Sequence, residues 1–580
     1  MAEPVEWLPD GTPRSPRFDD LYRSHTGRLE QAHQVFLGGC GLPAAWAGQA
    51  HWRILETGFG LGLNFLAAWR VWKDDAQRPL MLHYASIEAW PVAAADLVRN
   101  AAPYPELHDL ADALAAQWWG IGPGIHRLAF DGGRVLLTVC IGDVQAMLRE
   151  QAFAADSVFL DGFDPRLNEV MWEGRTLKAV ARCCRRGAGV ASWTATDDVR
   201  RDLVQHGFQV EKAAGLPPNL HHARGVFDPH WEPRGQRARA TRAPGCCIVI
   251  GGGLAGAACA ASLARRGWQV RVFDAALQPA SGASALPAGL LAPHLSSDDA
   301  LLSRLTRCGV RMTLQQSSEL LDEGQDWQPS GALKQRADEP VHWHETAAWI
   351  KPAALVREWL GQPGVEWCGH MKVARIELME DGHWELADGT GAVLGQADLV
   401  VVAAAHASAP LLDGQLAMHP VRGQVTWAFH EPGLKLPGAP LNGNGHFIPS
   451  IPWRGQRAWL TGSTYAPGET SVEARPADHQ ANLERLGLLA PDVARQLAPQ
   501  FDGGGVHAWT GVRCAATDRR PLLGELRPGL WVSTAMGSRG LTFASLCAEL
   551  LSARLHGEPL PMERKLAQSL DTSRQRSSEP

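Results

Sequence analysis

Short apolar runs alternate with helical stretches along the N-terminal part of the chain. HWRILET, LHYASIE and SVFLDGF are apolar and β-rich, whereas LNFLAAWRVW is a helical stretch. This alternation predicts strands and crossover helices in a parallel sheet. It begins again near Ala243, where CCIVI and a glycine turn precede the helical AGAACAASLARRG and a second strand, QVRVFD. No repeat with a period of roughly 20 to 50 residues is visible, so a repeat architecture is not predicted.

Chain length and a break in this pattern predict two domains. At 580 residues the chain exceeds the size at which a single hydrophobic core stops growing. Between Arg224 and Arg242, proline, glycine and arginine are mixed without apolar periodicity, which favours a linker. We predict one domain over residues 1–235, a linker over 236–244 and a second domain over 245–580.

Composition narrows the class of protein. With 45% apolar and 20% charged residues, the chain has the composition of a globular protein. No stretch approaches the roughly 20 apolar residues of a membrane span and the N-terminus lacks the pattern of a signal peptide, so we expect a soluble, cytoplasmic protein. The 11 cysteines include no C-x-x-C and no spacing with histidine typical of a metal site, so we expect reduced thiols and no metal.

The net charge of −6 disfavours indiscriminate binding of polyanions, but the charge is unevenly distributed. Residues 166–242 contain 14 lysines and arginines against 8 acids. This excess is compatible with a nucleic-acid face, although charges that merely solvate helices are the commoner explanation of such a run.

The first glycine cluster lies where a predicted strand turns into a helix. Glu56 ends the strand, and the turn contains Gly58, Gly60 and Gly62. Glycine lets the backbone close on a ligand there, and the exposed N–H groups of the helix favour negative charge. Glu88 ends the next predicted strand, where an acid can accept both hydroxyls of a ribose, so we predict a nucleoside site. A structural turn without a ligand is the alternative.

Two further acids follow predicted strands of the same domain. Asp143 comes after RVLLTVCI, where it could approach an adenine amine or simply cap a helix. Asp161 follows the strand of SVFLDGF. Because ligands of a doubly wound sheet lie at the carboxyl ends of its strands, we predict Asp161 in the same crevice as Gly58 and Glu88. A turn or capping role is the alternative for Asp161 as well.

The second glycine cluster satisfies a dinucleotide-binding motif. Gly251, Gly253 and Gly256 form G-x-G-x-x-G between a predicted strand and a helix. Asp274 ends the next strand about 20 residues later, as the motif requires. The motif itself does not distinguish FAD from NAD.

Two other segments favour a flavin. Gly282, Ala283 and Ser284 belong to a loop of small residues that permits close approach to an isoalloxazine ring. Gly537 and Arg539 precede the helix FASLCAELLSARL, whose N–H groups would point at a flavin carbonyl.

Both halves of the chain resemble one family. ETGFGLGLNFL, the D-G-F-x-P turn and FDDLYRSHTGRLEQAHQVFL are similar to the methyltransferase half of the bifunctional enzymes that make 5-methylaminomethyl-2-thiouridine in bacterial tRNA. AAWIKPAAL, VRGQV, GSTY and MGSRGLTFASLCAELL resemble the D-amino-acid and glycine oxidase superfamily, and more closely the oxidoreductase half of the same enzymes. The chain departs from the family pattern where GASAL replaces GASGN and DRRP replaces DHLP.

The resemblance implies an α/β fold class: a Rossmann-like methyltransferase domain followed by an FAD-binding Rossmann domain with an inserted mixed α+β substrate domain. It implies FAD and S-adenosylmethionine as cofactors and the wobble uridine of tRNA as the substrate. The FAD domain would remove the carboxymethyl group of 5-carboxymethylaminomethyl uridine, and the other domain would methylate the exposed amine.

The resemblance also implies roles for particular residues. Asp161 would be the catalytic residue, close to the methyl group and the incoming amine. A carboxylate-bearing substrate needs a cation, and Arg422, Arg513 and Arg539 lie in family-like motifs. Tyr465 would line the same pocket. Each of these four side chains is also compatible with a purely structural role. We expect a monomer.

Two other functions remain open. A glycine- or sarcosine-like oxidase fused to an N-methyltransferase would show nearly the same motifs, because fold and cofactor do not fix the substrate. A non-catalytic cofactor-binding protein that recognises tRNA or a protein partner is the second.

Overall fold

The computed structural model describes residues 2–22, 28–216, 221–231, 242–336 and 339–576. It divides into two units, one formed by Met1–Ala243 together with Ala553–Ala567 and the other by Pro244–Ser552 together with Gln568–Pro580. The first unit thus includes a segment from near the C-terminus, which the sequence pattern assigned to the second domain. Residues 236–241 of the predicted linker lie outside the described residues.

The described part of the first unit contains eleven strands and eight α-helices before its C-terminal segment. The strands are β1 (Glu6–Trp7), β2 (Pro13–Ser15), β3 (Asp20–Leu21), β4 (His51–Glu56), β5 (Met81–Glu88), β6 (Gly124–Phe130), β7 (Val135–Ile141), β8 (Ala155–Leu160), β9 (Cys184–Ser192), β10 (Phe208–Ala214) and β11 (His221–Phe227). The α-helices are α1 (Arg28–Gln31), α2 (Leu63–Asp74), α3 (Ala94–Ala101), α4 (His108–Gln117), α5 (Val144–Glu150), α6 (Glu169–Trp172), α7 (Gly174–Ala181) and α8 (Asp197–Gln205).

A mixed eight-stranded sheet forms the centre of this unit, in the order β10-β11-β9-β8-β4-β5-β7-β6. The strands from β9 to β7 in this order are parallel, and β6, β10 and β11 run antiparallel to their neighbours. Strands β7 and β8 are buried along their whole length, which explains their continuous apolar sequence. The predicted Rossmann-like α/β domain is confirmed.

The second unit is built on strands β12 to β31. They are β12 (Cys246–Ile250), β13 (Gln269–Phe273), β14 (Gly289–Leu291), β15 (Trp327–Gln328), β16 (Ala332–Arg336), β17 (Glu339–His344), β18 (Ala348–Ile350), β19 (Val365–Cys368), β20 (Arg375–Leu378), β21 (Trp384–Ala387), β22 (Val393–Ala397), β23 (Leu399–Val402), β24 (Met418–Phe429), β25 (Leu441–Gly443), β26 (Gly445–Trp453), β27 (Gln456–Gly462), β28 (Ala466–Pro467), β29 (His507–Ala516), β30 (Leu522–Arg527) and β31 (Leu530–Thr534).

Its helices are α9 (Leu254–Arg265), α10 (Leu301–Leu320), α11 (Pro352–Leu360), α12 (Ser408–Leu411), α13 (Pro476–Leu489) and α14 (Pro491–Asp502). The C-terminal helices are α15 (Gly540–His556), α16 (Arg564–Gln568) and α17 (Ser573–Arg576).

The second unit contains two large sheets. The first has the order β19-β13-β12-β23-β31-β30 and is parallel except for β30. The second, β17-β16-β25-β26-β27-β24-β28 with β29 beside β24, is antiparallel except for the pairing of β16 with β25. A nucleotide-binding sheet with an inserted α+β region is the predicted architecture, and it is confirmed.

A buried ion pair joins α9 to α15 within the second unit. Arg266 is fully buried, and its Nη2 lies 2.9 Å from Glu549 Oε2. The other oxygen of Glu549 accepts hydrogen bonds from Ser262 Oγ at 2.7 Å and from Arg265 Nη2 at 2.9 Å. Removing one partner of such a pair leaves a charge buried with too little compensation.

We therefore expect Arg266→Met to destabilise the second unit by about 3–5 kcal/mol and to lower the temperature of flavin release by about 10 °C. The control is Arg495→Met, which removes an exposed arginine paired with Asp492 and should cost about 1 kcal/mol or less. Flavin fluorescence during heating measures the temperature of flavin release in both variants. Equal midpoints for the two variants would contradict the importance assigned to the buried pair.

Candidate active sites

The turn between β4 and α2 meets the loop after β8 at the topological switch point of the first sheet. A Cβ on Gly58 would lie 3.0 Å from the carbonyl oxygen of Asp161, so the two backbones approach as closely as glycine allows. Gly60 and Gly62 have φ angles of +51° and +75°, in the left-handed region that favours glycine. The structure therefore brings Gly58 and Asp161 together at the edge where ligands of such sheets bind.

Glu88, at the end of β5, holds the glycine turn. Its Oε2 accepts a hydrogen bond from Gly60 N at 2.8 Å, and its Oε1 accepts one from Trp90 N at 2.8 Å. Burial raises the pKa of the Glu88 carboxyl, and these N–H groups partly offset that rise. Each carboxylate oxygen has a second lone pair with which it can accept a ribose hydroxyl.

Glu56 supports the site from the interior, because it is only 1% exposed. Its Oε1 accepts from Asn64 Nδ2 at 2.7 Å and its Oε2 from Ser86 Oγ at 2.7 Å. Asn64 Nδ2 also donates to Asp161 Oδ2 at 2.8 Å, so one amide connects the two acids. Sequence reasoning did not single out Asn64, since an asparagine within a helix carries no motif.

The carboxylate of Asp161 is oriented through both of its oxygens. Oδ2 accepts from Asn64, and Oδ1 accepts from Gly162 N at 2.9 Å. Thr57 Oγ1 donates to the backbone oxygen of Asp161 at 2.8 Å, which fixes the loop. A carboxylate held in this way can accept a hydrogen bond from a substrate amine.

Asp143 is the N-cap of α5. Its Oδ1 accepts from Ala146 N at 2.9 Å, which is the capping interaction that the sequence left open. The preceding residue, Gly142, donates its N–H to Glu88 O at 2.9 Å, so Asp143 follows β7 beside the end of β5. A contact between Asp143 and a nucleoside stays a prediction.

Aromatic side chains lie next to the switch point. Phe163, in the loop after β8, stacks on Phe18 with ring centroids 4.6 Å apart and meets Tyr22 edge-on at 5.2 Å. The ring of Tyr22 lies 3.5 Å from the position of a Cβ on Gly60. Trp90, which is 44% exposed, carries the guanidinium of Arg17 3.8 Å above its ring. None of these aromatic residues was predicted, because 23 tryptophans and many other rings made aromatic positions uninformative.

The basic segment Arg166–Arg242 is rich in ion pairs in its described part. Six of its arginines and its Lys212 lie within 4.0 Å of a carboxylate, namely in the pairs Arg166–Asp164, Arg185–Asp156, Arg186–Asp228, Arg200–Asp197, Arg201–Asp198, Lys212–Asp197 and Arg224–Glu211. These charges are largely neutralised locally, which favours the solvating explanation for them over a dedicated nucleic-acid face.

The second site begins at the glycine turn between β12 and α9. Gly251 has a φ of +112°, and a Cβ on it would lie 2.6 Å from Ala403 O. A Cβ on Gly256 would lie 1.8 Å from Gly251 O, so only glycine permits the helix to start this close to the strand. Asp274, at the end of β13, accepts hydrogen bonds from Gly252 N at 2.7 Å and Ala276 N at 2.8 Å. Gly253 has open space beside it apart from Ser284 Oγ, 3.1 Å from its Cβ position.

A cavity of about 1160 Å³ opens from this turn. Its walls include the predicted Gly282, Ala283 and Ser284, and Ser284 Oγ accepts the N–H of Leu254 at 3.0 Å. Gly537, with a φ of +58°, and Arg539 line the same cavity just before α15. The two distant segments predicted to bind one cofactor are thus brought to one cavity.

Three of the four predicted substrate-binding side chains line this cavity: Tyr465, Arg513 and Arg539. Arg513 Nη2 donates to Thr464 O at 3.0 Å, and its guanidinium lies 5.6 Å from the ring centroid of Tyr465. Burial lowers the pKa of both Arg513 and Arg539, but an arginine stays protonated at neutral pH. The cavity therefore contains two cations that can bind a carboxylate.

Arg422 is not brought to the cavity. Its side chain is fully buried and donates to Asp478 Oδ2 at 2.5 Å, to Glu473 O at 2.6 Å and to Ser471 O at 3.0 Å. The backbone of its neighbour Gly423 lines the cavity instead. The structure gives Arg422 an internal role that the sequence could not reveal, because its partners lie about fifty residues away.

His446 and Arg485 also line the cavity, and neither was predicted. Arg485 donates to the backbone oxygen of Ser463. Burial and the nearby charge of Arg513 lower the pKa of His446 to about 4, so its imidazole is neutral at pH 7. Both residues lie outside any short motif, which is why the sequence gave no signal for them.

Comparisons with known proteins agree with this division of the chain. Residues 105–226 match the model of a family of S-adenosyl-L-methionine-dependent methyltransferases. Residues 247–345 and 337–554 match the model of the FAD dependent oxidoreductases. The chain is therefore a bifunctional enzyme, a methyltransferase joined to a flavin-dependent oxidoreductase.

Relatives along the whole length define the family. The tRNA 5-methylaminomethyl-2-thiouridine biosynthesis bifunctional protein MnmC of Polaromonas sp. strain JS666 is 52% identical over 98% of each chain. The protein of the same name from Paracidovorax citrulli is 48% identical over 99% of each chain. This chain belongs to the MnmC family. Among solved structures, glycine oxidase from Geobacillus kaustophilus is 21% identical over 57% of this chain and 98% of that chain, with a TM-score of 0.46.

The residues present fit both cofactors. In the first unit the glycine turn and Glu88 offer backbone N–H groups and a ribose acceptor beside Asp161, as S-adenosylmethionine requires. In the second unit the G-x-G-x-x-G turn, Asp274 and a cavity of about 1160 Å³ provide a diphosphate cradle, a ribose acceptor and room for a flavin.

The neutral imidazole of His446 makes the second unit sensitive to acid. In the unfolded chain its pKa returns to about 6.5, so the unfolded state binds more protons between pH 6.5 and 4. The contribution of His446 to the free energy of unfolding is therefore fully present above pH 6.5. It is lost as the pH falls towards 4, which lowers the stability of the unit by up to about 3 kcal/mol. His446→Asn should flatten the curve of flavin-release temperature against pH in this window. An unchanged pH dependence would contradict the assignment of a buried neutral imidazole.

Proposed function

We propose that this chain carries out two consecutive reactions on the wobble uridine, at position 34, of tRNA. The second unit oxidatively removes the carboxymethyl group of 5-carboxymethylaminomethyl-(2-thio)uridine, which leaves 5-aminomethyl-(2-thio)uridine. The first unit then methylates that amine to 5-methylaminomethyl-(2-thio)uridine. Two observations carry the proposal. The chain contains a methyltransferase unit followed by an oxidoreductase unit. It is also 47–52% identical, over nearly its whole length, to relatives named for this biosynthesis.

The oxidative site needs to bind a carboxylate and to hold the neighbouring C–N bond against the flavin. When bound, FAD supplies the acceptor for the hydride. Arg513 and Arg539 line the cavity, and a guanidinium can hold a carboxylate through two parallel hydrogen bonds. His446, which is neutral, can accept or donate a hydrogen bond next to Arg513 without adding a charge that would compete for the carboxylate.

The methyl-transfer site needs mainly positioning. S-adenosylmethionine supplies an electrophilic methyl group, and the substrate amine must arrive uncharged and aligned with it. Asp161, fixed by Asn64 and by Gly162 N, can accept an N–H hydrogen bond of the amine and take up the proton that the amine loses. Glu56 accepts a hydrogen bond from Asn64 and so holds the amide that orients Asp161. Glu56 is therefore a positioning residue.

The aromatic residues beside the switch point suit an unstacked base. RNA-binding sites for single nucleotides commonly stack the base on aromatic side chains, and loops such as the anticodon present their bases in this way. Phe163, Phe18 and Tyr22 form a group of rings next to Asp161 and Gly60. We propose that they contact the wobble base or its neighbour.

We further propose that the protein acts as a monomer in the cytoplasm, where tRNA is modified. Each described site is made of residues of this one chain, so neither needs a second copy. Within the described part of the chain, no helix is both long and apolar enough to cross a membrane.

The two reactions should separate in variants of the two sites. Asp161→Asn keeps the shape of the side chain but removes its charge, so methylation should fall by about 100-fold or more while oxidation is unchanged. Gly253→Trp fills the flavin cavity at a position with open space, so oxidation should be lost with the flavin while methylation of an aminomethyl-tRNA persists. Mass spectrometry of nucleosides from tRNA carrying either precursor measures each step.

Matched controls exist for both changes. Asp164→Asn makes the same substitution three residues further on, at a carboxylate paired with Arg166. Gly389→Trp places the same indole in the turn between β21 and β22, where a Cβ meets nothing within 4 Å. Both should retain both activities. Loss of both activities in folded Asp161→Asn, or turnover of small amines but not of tRNA by the unaltered protein, would exclude the proposal.

A further inference from the structure

Three imidazoles surround one carboxylate inside the first unit. His51 lies on β4 and His83 on β5, while His556 ends α15 and Glu558 follows it after one glycine. All four residues belong to the first unit, because that unit includes Ala553–Ala567. His83, His556 and Glu558 are buried, and His51 is mostly buried. We call these four residues the His3Glu cluster.

The distances in the His3Glu cluster converge on a single oxygen. Glu558 Oε1 lies 3.5 Å from His83 Nε2, 3.6 Å from His556 Nδ1 and 3.9 Å from His51 Nδ1. One ligand atom from each of His51, His83 and Glu558 lies within 4.8 Å of the other two. The imidazole of His556 has its centroid 5.5 Å from that of His51, and its Nδ1 lies 3.6 Å from Glu558 Oε1, so it can supply a fourth ligand.

These separations suit ligands around a metal better than direct hydrogen bonds between the four groups. An N–H···O hydrogen bond has a donor–acceptor distance of about 2.7–3.2 Å, shorter than all three contacts. In a zinc tetrahedron with bonds of about 2.0–2.1 Å, two ligand atoms lie roughly 3.3 Å apart. The three contacts to Glu558 Oε1, at 3.5, 3.6 and 3.9 Å, are slightly longer than this separation.

The backbone positions the ligands before any ion binds. In the parallel pairing of β4 with β5, His51 is opposite Met81 and Arg53 is opposite His83, so both histidines point to the same face of the sheet. Gly557 adopts a φ of +62°, and Glu558 N then donates to Ala553 O at 3.0 Å, which closes the end of α15. Arg53 Nη2 donates to His556 O at 2.9 Å, so the turn is tied to β4 next to the cluster.

The ligand set indicates the kind of ion. Imidazole nitrogen with one carboxylate oxygen suits zinc and its neighbours among the transition metals, whereas magnesium and calcium prefer oxygen ligands. Four protein ligands in a buried site leave no open position for a substrate, which is typical of a structural site. The segment that carries His556 and Glu558 is also held by Arg127, whose Nη2 donates to Pro559 O at 2.5 Å, and by Gln151 Oε1, which accepts Leu560 N at 3.0 Å.

We propose that His51, His83, His556 and Glu558 bind one zinc ion, which fastens the segment Ala553–Ala567 to the sheet of the first unit. The ion joins residues that are about 500 positions apart in sequence, and its role is structural.

The first test is the metal content of the full chain with its flavin, produced without a histidine tag and separated from free metal by gel filtration. We expect about one zinc per chain. Zinc K-edge absorption should show only nitrogen and oxygen ligands at about 2.0–2.1 Å. A chelator should lower the melting temperature of the wild-type first unit, and added zinc should restore it.

Two variants and one control make the test specific. Glu558→Gln keeps the volume but loses the anionic ligand, so zinc affinity should fall by about 100-fold or more and the effect of the chelator should disappear. His51→Cys replaces one ligand by another, so zinc should stay bound and a zinc–sulfur distance of about 2.3 Å should appear. His222→Ala removes a buried histidine of the same sheet outside the cluster and should leave the metal content unchanged.

Wild-type protein that contains less than about 0.1 zinc per chain after incubation with zinc would overturn the proposal, and so would equal zinc content in Glu558→Gln and His222→Ala. Should Glu558→Gln not fold, His51→Cys decides alone: zinc bound without a sulfur ligand means that the ion lies elsewhere.

Discussion

The same hydrogen bond anchors both active sites: an acid at the end of one parallel strand accepts the N–H of a glycine in the turn after the neighbouring strand. Glu88 binds Gly60 N at 2.8 Å in the first unit, and Asp274 binds Gly252 N at 2.7 Å in the second. In each case the second oxygen of the carboxylate accepts another backbone N–H two residues after the acid. These bonds fix the position of the carboxylate and hold the turn at the end of its strand. The remaining features of each site, including Asp161 and the cavity-lining arginines, are arranged around that turn.

Local features of the sequence predicted the glycine turns and singled out the two acids, although as ribose acceptors and not as acceptors of the glycine N–H groups. A glycine turn between a strand and a helix requires particular backbone angles and close approaches, so its residues are visible in the sequence, as for Gly251 and Gly256. The acids Glu88 and Asp274 drew attention because each lies at the carboxyl end of the next strand. The α/β class of both domains followed from the alternation of apolar runs with helices, which depends on short-range periodicity alone.

The features that the sequence did not reveal depend on contacts between distant segments. Arg422 lies in a family-like motif, yet its guanidinium is used by Asp478 and by two backbone oxygens rather than by the cavity. Asn64 connects Glu56 to Asp161, and an isolated asparagine gives no sign of such a role. The segment Ala553–Ala567 belongs to the first unit although more than 300 residues separate it from the rest, and the His3Glu cluster exists only because of that return. No spacing rule for metal ligands covers such a separation.

One chain performs an oxidation and then a methylation on the same tRNA nucleoside. The most direct measurement is mass spectrometry of nucleosides from tRNA with 5-carboxymethylaminomethyl-2-thiouridine, after incubation with the flavin-loaded protein with and without S-adenosylmethionine. We expect 5-aminomethyl-2-thiouridine to accumulate without the methyl donor and 5-methylaminomethyl-2-thiouridine to replace it when the donor is present. An unchanged nucleoside in both samples, from protein that holds its flavin, would exclude this sequence of reactions.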